Sequence, residues 1–206
     1  WPALVGAAAF QLAPYRFVNL YVRNAFGENT ATLFIPLLFW LFTKLIKQPS
    51  RRHLVLASLA LAGLLLSHNA ISLMILPLLI MYSLIFLYFS QNKLVATSYT
   101  LVAVFLALGL AAFFWIPAFV EGKYTLREAV MQGDAFADNF PTFTQLVIPS
   151  WGYGVSTPSA VPDGMSYQIG IIHWLVFIFA LLMFLRVKKF FTQSGLLLAL
   201  FWFAFL

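Results

Sequence analysis

Long runs of apolar residues constrain this chain more than any other feature. Seven runs are present, at about residues 1–14, 30–46, 54–67, 70–89, 94–119, 168–185 and 191–206. A helix needs about 20 apolar residues to cross the hydrocarbon core of a bilayer. Only 9% of the residues are charged, against roughly a quarter in soluble domains, so too few polar side chains exist to cover a water-exposed surface. The pattern predicts an all-α fold, a polytopic transmembrane bundle of about six to seven helices.

Both ends of the chain lie inside apolar runs. The sequence starts at Trp1 within one run and stops at Leu206 within another. We therefore expect a fragment of a longer protein, truncated at both ends. Residues 1–206 are expected to form one transmembrane domain that contains a long loop over residues 120–167. Because the sequence has no cysteine, it offers neither disulfides nor thiolate metal ligands.

The connections between the apolar runs fall into two alternating sets. One set carries basic residues and no acidic ones, and the other set carries the acidic residues. By the positive-inside rule, connections rich in lysine and arginine face the cytoplasm. The sequence therefore predicts a multi-pass protein of the cell membrane, with cytoplasmic loops at residues 44–53, 93 and 186–189 and an extracytoplasmic loop at residues 120–167. The net charge of +6 then reflects topology, and nucleic acid is not an expected partner. The cytoplasmic set holds eight basic residues and no acidic one, namely Lys44, Lys47, Arg51, Arg52, Lys93, Arg186, Lys188 and Lys189.

The segment after the first run carries two arginines that point to phosphate recognition. An α-helical period places Arg16, Asn19 and Arg23 on one face of a helix at the membrane interface. Guanidinium forks match the oxygens of a phosphate or diphosphate. The alternative is a generic interfacial helix whose arginines contact bulk lipid phosphates.

Three polar residues at the ends of apolar runs allow two interpretations each. Glu28 is either a base or ligand for sugar or metal, or a carboxylate that stabilises a helix N-terminus. His68 and Asn69 join two apolar runs. They either face a cavity, where an ionisable group at membrane depth indicates function, or form a turn that caps the helices. We expect function for His68, because a turn needs no imidazole.

The long loop holds a second set of polar candidates. Glu121 and Tyr124 follow an aromatic segment that is typical of the membrane interface. Asp134 and Asp138 are four residues apart, so on a helix they would share a face and offer oxygen ligands to a divalent cation, the one cofactor considered. A solvated loop is the alternative for these two aspartates, and no metal site is assigned beyond them.

Aromatic residues in the loop point to sugar binding. Glycines flank Tyr153 on both sides and follow Trp151, which allows a tight backbone with two projecting aromatic faces. Such faces stack on sugar rings; the alternative is a hydrophobic plug that pins the loop to the membrane. Gln168 and His173 are expected on the outer half of the next helix, lining the same cavity as His68.

Several of these motifs together resemble a family of bacterial and archaeal membrane proteins labelled 6-pyruvoyl-tetrahydropterin-synthase-related, a historical label that implies no pterin chemistry. That family is similar in turn to the GT-C superfamily, multi-pass glycosyltransferases. The resemblance implies use of a sugar carried on polyprenyl phosphate at the outer membrane face. The motifs are Tyr21-x-Arg23 with Glu28, Ser67-His68-Asn69, Phe114-Trp115-x-Pro117 with Glu121 and Tyr124, Trp151-Gly-Tyr-Gly, and Gln168-x-Gly170-x-x-His173.

The sequence departs from the GT-C pattern in one respect. The resemblance implies a catalytic acidic residue in the first outer loop, but no Asp or Glu precedes Arg16. We expect that carboxylate upstream of residue 1, and the resemblance does not assign its role to Glu28. From their own chemistry, Glu28, Glu121 and His68 are the catalytic candidates within the chain. The candidate substrate-binding residues are Arg16, Arg23, His68, Asn69, Tyr124, Trp151, Tyr153, Gln168 and His173.

The leading hypothesis is thus a GT-C-like glycosyltransferase core of the cell envelope. It would transfer a sugar from a polyprenyl-phosphate donor to a glycan or protein acceptor that the sequence does not specify, with the lipid bilayer as its other partner. The alternative is a non-catalytic scaffold or a lipid or polysaccharide transporter. Transporters carry ionisable residues near the bilayer midplane, whereas the charges of this chain lie at the ends of the runs, which favours the enzyme.

Overall fold

A computed structural model describes residues 1–124, 140–154, 164–186 and 192–205 of the chain. These residues form ten α-helices and no β-strand, which confirms the all-α prediction. A π-helical turn over Val18–Val22 follows α2, and a 3₁₀ turn over Gly122–Tyr124 follows α7. The helices are α1 Pro2–Gln11, α2 Pro14–Phe17, α3 Phe26–Lys47, α4 Arg51–Ser67, α5 Asn69–Tyr88, α6 Lys93–Leu110, α7 Ala112–Val120, α8 Phe143–Val147, α9 Ile171–Leu185 and α10 Gln193–Phe205.

The chain divides into two compact units. The first, the loop unit, contains Trp1–Asn29 and Val120–Ala180. The second, the bundle unit, contains Thr30–Phe119 and Leu181–Leu206. Helix α3 begins in the loop unit and runs through the bundle unit.

Three of the described helices, α3, α5 and α6, are long and apolar enough to cross a membrane. Helix α4 has 17 residues and α9 has 15, so both are shorter than a full crossing. The observed bounds follow the apolar runs closely, because the length of a run reflects the thickness of the hydrocarbon core. Which side of the membrane each loop faces stays a prediction.

Small side chains lie at the contact between α4 and α6 in the bundle unit. Helices α4 and α6 make the most extensive contact, and buried alanines occur on both, at Ala57 and Ala60 on one and Ala103 and Ala107 on the other. Small residues let helix backbones approach closely, which is the usual basis of packing between membrane helices. The outward faces are apolar instead, as at Phe105, which is 70% exposed. Such a surface suits lipid as its solvent.

The run at residues 94–119 forms two helices where the sequence pattern suggested one. Helix α6 ends at Leu110 and α7 begins at Ala112. The backbone at Ala111 has φ −90° and ψ 0°, outside α-helical geometry. The Trp115 indole donates a hydrogen bond to the Leu108 carbonyl at 3.0 Å. This bond gives a donor to a carbonyl near the end of α6, where the last carbonyls have no amide donor within the helix.

Gly63 in α4 tests the close packing directly. A Cβ at this position would overlap the Phe34 ring of α3, lying 2.5 Å from Cε1. A Cβ at Gly109 in α6 would meet nothing within 4 Å. We expect Gly63→Ala to lower the free energy of unfolding by roughly 1–3 kcal/mol, because the Phe34 ring must move. Gly109→Ala should be neutral or stabilising, since alanine is the better helix former.

The measurement is thermal unfolding of the purified protein in detergent. Adding Phe34→Leu to Gly63→Ala should recover part of the loss. An equal effect of the two alanine variants would contradict the packing described for α3 and α4.

Candidate functional site

A tight reversal of the chain precedes α3. In the π turn, the Arg23 amide donates to the Val18 carbonyl at 2.9 Å, which is a bond across five residues. Asn24 then adopts φ +54°, a left-handed conformation that asparagine tolerates better than most residues. The amide of Ala25 closes the turn on the Asn19 carbonyl at 2.8 Å. The chain therefore folds back, and Glu28 in the first turn of α3 comes beside Arg23.

Arg23 and Glu28 form a two-pronged ion pair. Arg23 Nη2 donates to Glu28 Oε1 at 2.8 Å, and Nη1 donates to Oε2 at 2.9 Å. The Glu28 side chain is only 11% exposed and that of Arg23 is 34% exposed. Paired parallel hydrogen bonds of this kind fix both distance and orientation. Both oxygens of the carboxylate are thus committed to the guanidinium.

Two further side chains complete the Arg23 network, which consists of Tyr15, Asn19, Arg23 and Glu28. Asn19 is 1% exposed; its Nδ2 donates to Glu28 Oε2 at 2.9 Å and its Oδ1 accepts from Arg23 Nη1 at 2.7 Å. The Tyr15 hydroxyl donates to Glu28 Oε2 at 3.1 Å and accepts from Arg23 Nη1 at 2.9 Å. Each polar group that the network buries therefore has a partner, as buried polar groups require.

The network alters two proton affinities. Burial raises the pKa of the Tyr15 phenol and outweighs the opposing influence of the Arg23 charge. Burial works against the charged form of Arg23, but hydrogen bonding to Glu28, the nearby Tyr15 and the carboxylate charge together raise the pKa of its guanidinium. Arg23 is thus held firmly in its charged form.

The predicted common face of Arg16, Asn19 and Arg23 is right for two residues and wrong for the third. Asn19 and Arg23 contact each other, whereas the Arg16 guanidinium bonds to the Gln11 side chain and lies 5.4 Å from the centre of the Phe10 ring. The α-helical period fails at this point because the π turn intervenes after Phe17. Arg16 makes no ion pair with any carboxylate in the described part of the chain.

His68 has the capping position that the sequence offered as the alternative. Its backbone is extended at the start of α5, and its Nδ1 accepts a hydrogen bond from the Ile71 amide at 3.3 Å. An imidazole in this geometry satisfies one of the unpaired amides of a helix start. Asn69 is the first residue of α5 and is exposed. Both residues belong to the bundle unit, whereas the other described site candidates belong to the loop unit.

Four loop candidates lie at the surface of the loop unit. Tyr124 is 79% exposed, Tyr153 is 74% exposed and Trp151 is 45% exposed. Glu121 is also exposed, and its carbonyl accepts from the Tyr124 amide at 2.9 Å to begin the 3₁₀ turn. The aromatic side chains are thus available for contact, as sugar stacking requires.

Gln168 and His173 flank the start of α9. Gln168 precedes the helix instead of lying on it, and its amide donates to Ser166 Oγ at 3.4 Å. Gly170 has φ +101°, which a side chain would strain, and a Cβ there would lie 3.1 Å from His173 Nδ1. That nitrogen is buried and has no hydrogen-bond partner in the described structure. Such an orphan atom is rare enough to need an explanation, and a ligand is one.

The metal prediction lies outside what the structure describes. Asp134 and Asp138 both fall in residues 125–139. Within the described ranges, no group of three histidine, cysteine, aspartate or glutamate side chains could hold a metal ion. A divalent cation therefore stays a prediction.

Removing the charge of Glu28 should cost stability. Glu28→Gln replaces a carboxylate oxygen with an amide group that cannot accept from Arg23, so one guanidinium bond is lost in a mostly buried setting. We expect the free energy of unfolding to fall by roughly 1–3 kcal/mol, less than for a fully buried pair because Arg23 is partly solvated. The matched control, Glu121→Gln, changes an exposed carboxylate and should stay within about 0.5 kcal/mol.

Denaturant unfolding in detergent measures both variants. A loss for Glu121→Gln as large as that for Glu28→Gln would mean that the Arg23 network contributes nothing particular.

The raised pKa of Tyr15 predicts a loss of stability at alkaline pH. The folded state holds the phenol proton more tightly than the unfolded chain, so this contribution is fully present below the ordinary tyrosine pKa of about 10 and is lost as pH rises through the folded value. The wild type should therefore lose stability more steeply above about pH 10 than Tyr15→Phe. Thermal unfolding across that range checks this, and parallel curves for the two proteins would contradict it.

Comparison with known proteins gives the chain a family. No solved structure matches it. A protein of Lactococcus lactis subsp. cremoris (strain MG1363), described as uncharacterized, is 31% identical over 118 residues, which cover 55% of this chain and 19% of that protein. The chain thus spans about a fifth of this relative's length. The model of a family of membrane proteins, described as the 6-pyruvoyl-tetrahydropterin synthase related domain, matches residues 1–161. The chain therefore belongs to the 6-pyruvoyl-tetrahydropterin synthase related family of membrane proteins.

Proposed function

We propose that this chain is the membrane core of a GT-C-like glycosyltransferase that takes a sugar from a polyprenyl-phosphate donor on the extracytoplasmic face. The observation that carries the proposal is the Arg23 network, an ion pair with a buried carboxylate at the start of a membrane-length helix. Burying a charge pair gains little stability over apolar packing, and ionisable groups near membrane depth commonly mark a functional site.

In this proposal the Arg23 network positions a second arginine. Arg23 is occupied by Glu28, so its fork holds the turn instead of the donor. Arg16 lies in α2, the segment that Tyr15 of the network anchors. Its guanidinium is free of carboxylates in the described chain, so it is the group assigned to the donor phosphate. Cationic stabilisation of the departing phosphate is what such a transfer needs.

The sugar is assigned to the aromatic surface of the loop unit. Trp151 and Tyr153 are exposed there, and the Gly154 amide donates to the Gly164 carbonyl at 2.5 Å, which ties the aromatic segment to the stretch of chain before α9. Flat aromatic faces with a polar edge suit the apolar face of a sugar ring. The unpartnered Nδ1 of His173 supports a polar contact with a ligand hydroxyl in the same unit.

The base that activates the acceptor is assigned outside the Arg23 network. Both oxygens of Glu28 accept from Arg23, so proton abstraction by Glu28 would disrupt the ion pair. Glu121 is exposed and no described guanidinium pairs with it, so among the described residues of the loop unit it is the carboxylate that we assign to this role. The chain spans about a fifth of the length of the relative that it matches.

The test is donor turnover by the full-length protein. Purified protein in detergent should release polyprenyl phosphate from a polyprenyl-phosphate sugar when acceptor glycans are supplied. Arg16→Gln should lower kcat/KM by roughly 10- to 100-fold, because a charge-assisted hydrogen bond to the phosphate is lost. The control, Arg52→Gln, alters an exposed arginine of the bundle unit and should keep turnover unchanged.

The alternative function, a scaffold or transporter, would give a different result. Donor lipid would then bind without cleavage in detergent, and Arg16→Gln would weaken binding alone. Absence of turnover by a protein that binds the donor, with and without added divalent cation, would contradict glycosyl transfer.

A further inference from the structure

The bundle unit has an unbalanced charge that the proposed transfer does not use. Across Thr30–Phe119 and Leu181–Leu206 the sequence contains eight basic residues and no acidic one. Ion pairs between side chains of this unit are therefore impossible, and any counter-charge must come from outside it. At a membrane surface, clustered cations of this kind attract anionic headgroups.

A cavity with both polar and apolar lining residues lies beside one of these cations, Lys47. Its volume is about 250 Å³, and it is found where α3 and α5 end and α6 and α10 begin. Lys47 lies in its wall, with Nζ 5.3 Å from the centre of the Phe86 ring. The ring lies beside the ammonium group, and no acidic side chain of this unit can pair with that charge. The polar lining residues are Lys47, Ser90, Gln91, Asn92 and Gln193.

The start of α6 beside this cavity also favours an anion. Asn92 occupies the N-cap position, but its side chain makes no capping hydrogen bond, and the first turn has no acidic residue. Lys93 is the first residue of the helix, with Nζ 5.2 Å from the centre of the Tyr88 ring. A cation at this end opposes the helix dipole. An anion bound at this helix start would satisfy the uncapped amides and both lysines together.

We propose that this cavity binds the phosphate headgroup of an anionic phospholipid through Lys47 and the start of α6. A lipid is favoured over free phosphate because the cavity lies at the ends of membrane-length helices, at the depth of headgroups. Apolar side chains are also available here: Phe89 lines the cavity and is 40% exposed, and Leu94 in the first turn of α6 is 86% exposed. Acyl chains would cover these side chains, which a soluble ion would leave in water. This site is separate from the donor site proposed in the loop unit.

The experiment compares lipids with the full-length protein in nanodiscs. Replacing part of the phosphatidylcholine by phosphatidylglycerol should raise the melting temperature of the wild type, because a ligand that binds the folded state stabilises it. Lys47→Gln and Lys93→Gln should each weaken the apparent affinity for phosphatidylglycerol roughly fivefold. The control, Lys123→Gln, alters an exposed lysine of the loop unit whose Nζ lies 4.9 Å from the centre of the Tyr124 ring, and it should keep the full response.

Three outcomes would overturn the proposal. An equal loss in all three variants would mean unspecific attraction between the protein and the surface. A full response in Lys47→Gln and Lys93→Gln, with their melting in pure phosphatidylcholine unchanged, would show that neither lysine binds the lipid. Stabilisation by millimolar inorganic phosphate in phosphatidylcholine nanodiscs, matching that by phosphatidylglycerol, would assign the cavity to a soluble anion instead.

Discussion

The ion pair between Arg23 and Glu28 determines how the first membrane-length helix begins. Three side chains, one from α2 and two from the turn that follows it, converge on one carboxylate, and the carboxylate belongs to the first turn of α3. Without that anchor, the π turn and the left-handed Asn24 would have little to oppose their unfavourable backbone geometry. The negative charge of Glu28 also lies at the favourable end of the α3 dipole. One interaction thus links the local backbone, the helix start and the polar chemistry of the loop unit.

Apolar surroundings explain why charges appear in so few places. From residue 30 to residue 119 the only charged side chains are five basic ones, and all of them lie at or near helix ends. The helices between those ends pack through alanines and present large apolar side chains outward. In such a protein, polar chemistry is confined to the ends of helices and to the loops. The Arg23 network and the cavity beside Lys47 are two examples, one in each compact unit.

Helix positions were predictable because bilayer thickness imposes a run length that can be measured directly on the sequence. Contacts within the site were partly predictable. Tyr15, Asn19 and Arg23 recur every four residues, so a shared face is visible in the sequence, although the sequence pattern did not mark Tyr15 as a site residue. Arg16 was misplaced because a π turn leaves no mark in an α-helical period. The ion pair of Glu28 was missed because it depends on a chain reversal at Asn24, a single backbone angle.

The sequence did not predict the break between α6 and α7, and it could not decide between function and capping at His68, for a different reason. Each depends on one hydrogen bond, from the Trp115 indole to a carbonyl and from the Ile71 amide to an imidazole. Apolar periodicity carries no information about such bonds. Imidazole suggested function from its chemistry alone, and the structure shows it in a capping contact.

A double-mutant cycle across Arg23 and Glu28 is the most direct measurement of the interaction that organises this site. The two single variants, Arg23→Gln and Glu28→Gln, and their combination would be unfolded by denaturant in the full-length protein. A coupling energy of roughly 1–3 kcal/mol is expected, because each side chain stabilises the fold mainly through its contact with the other. Additive losses, with a coupling energy below about 0.5 kcal/mol, would contradict an organising role for the ion pair.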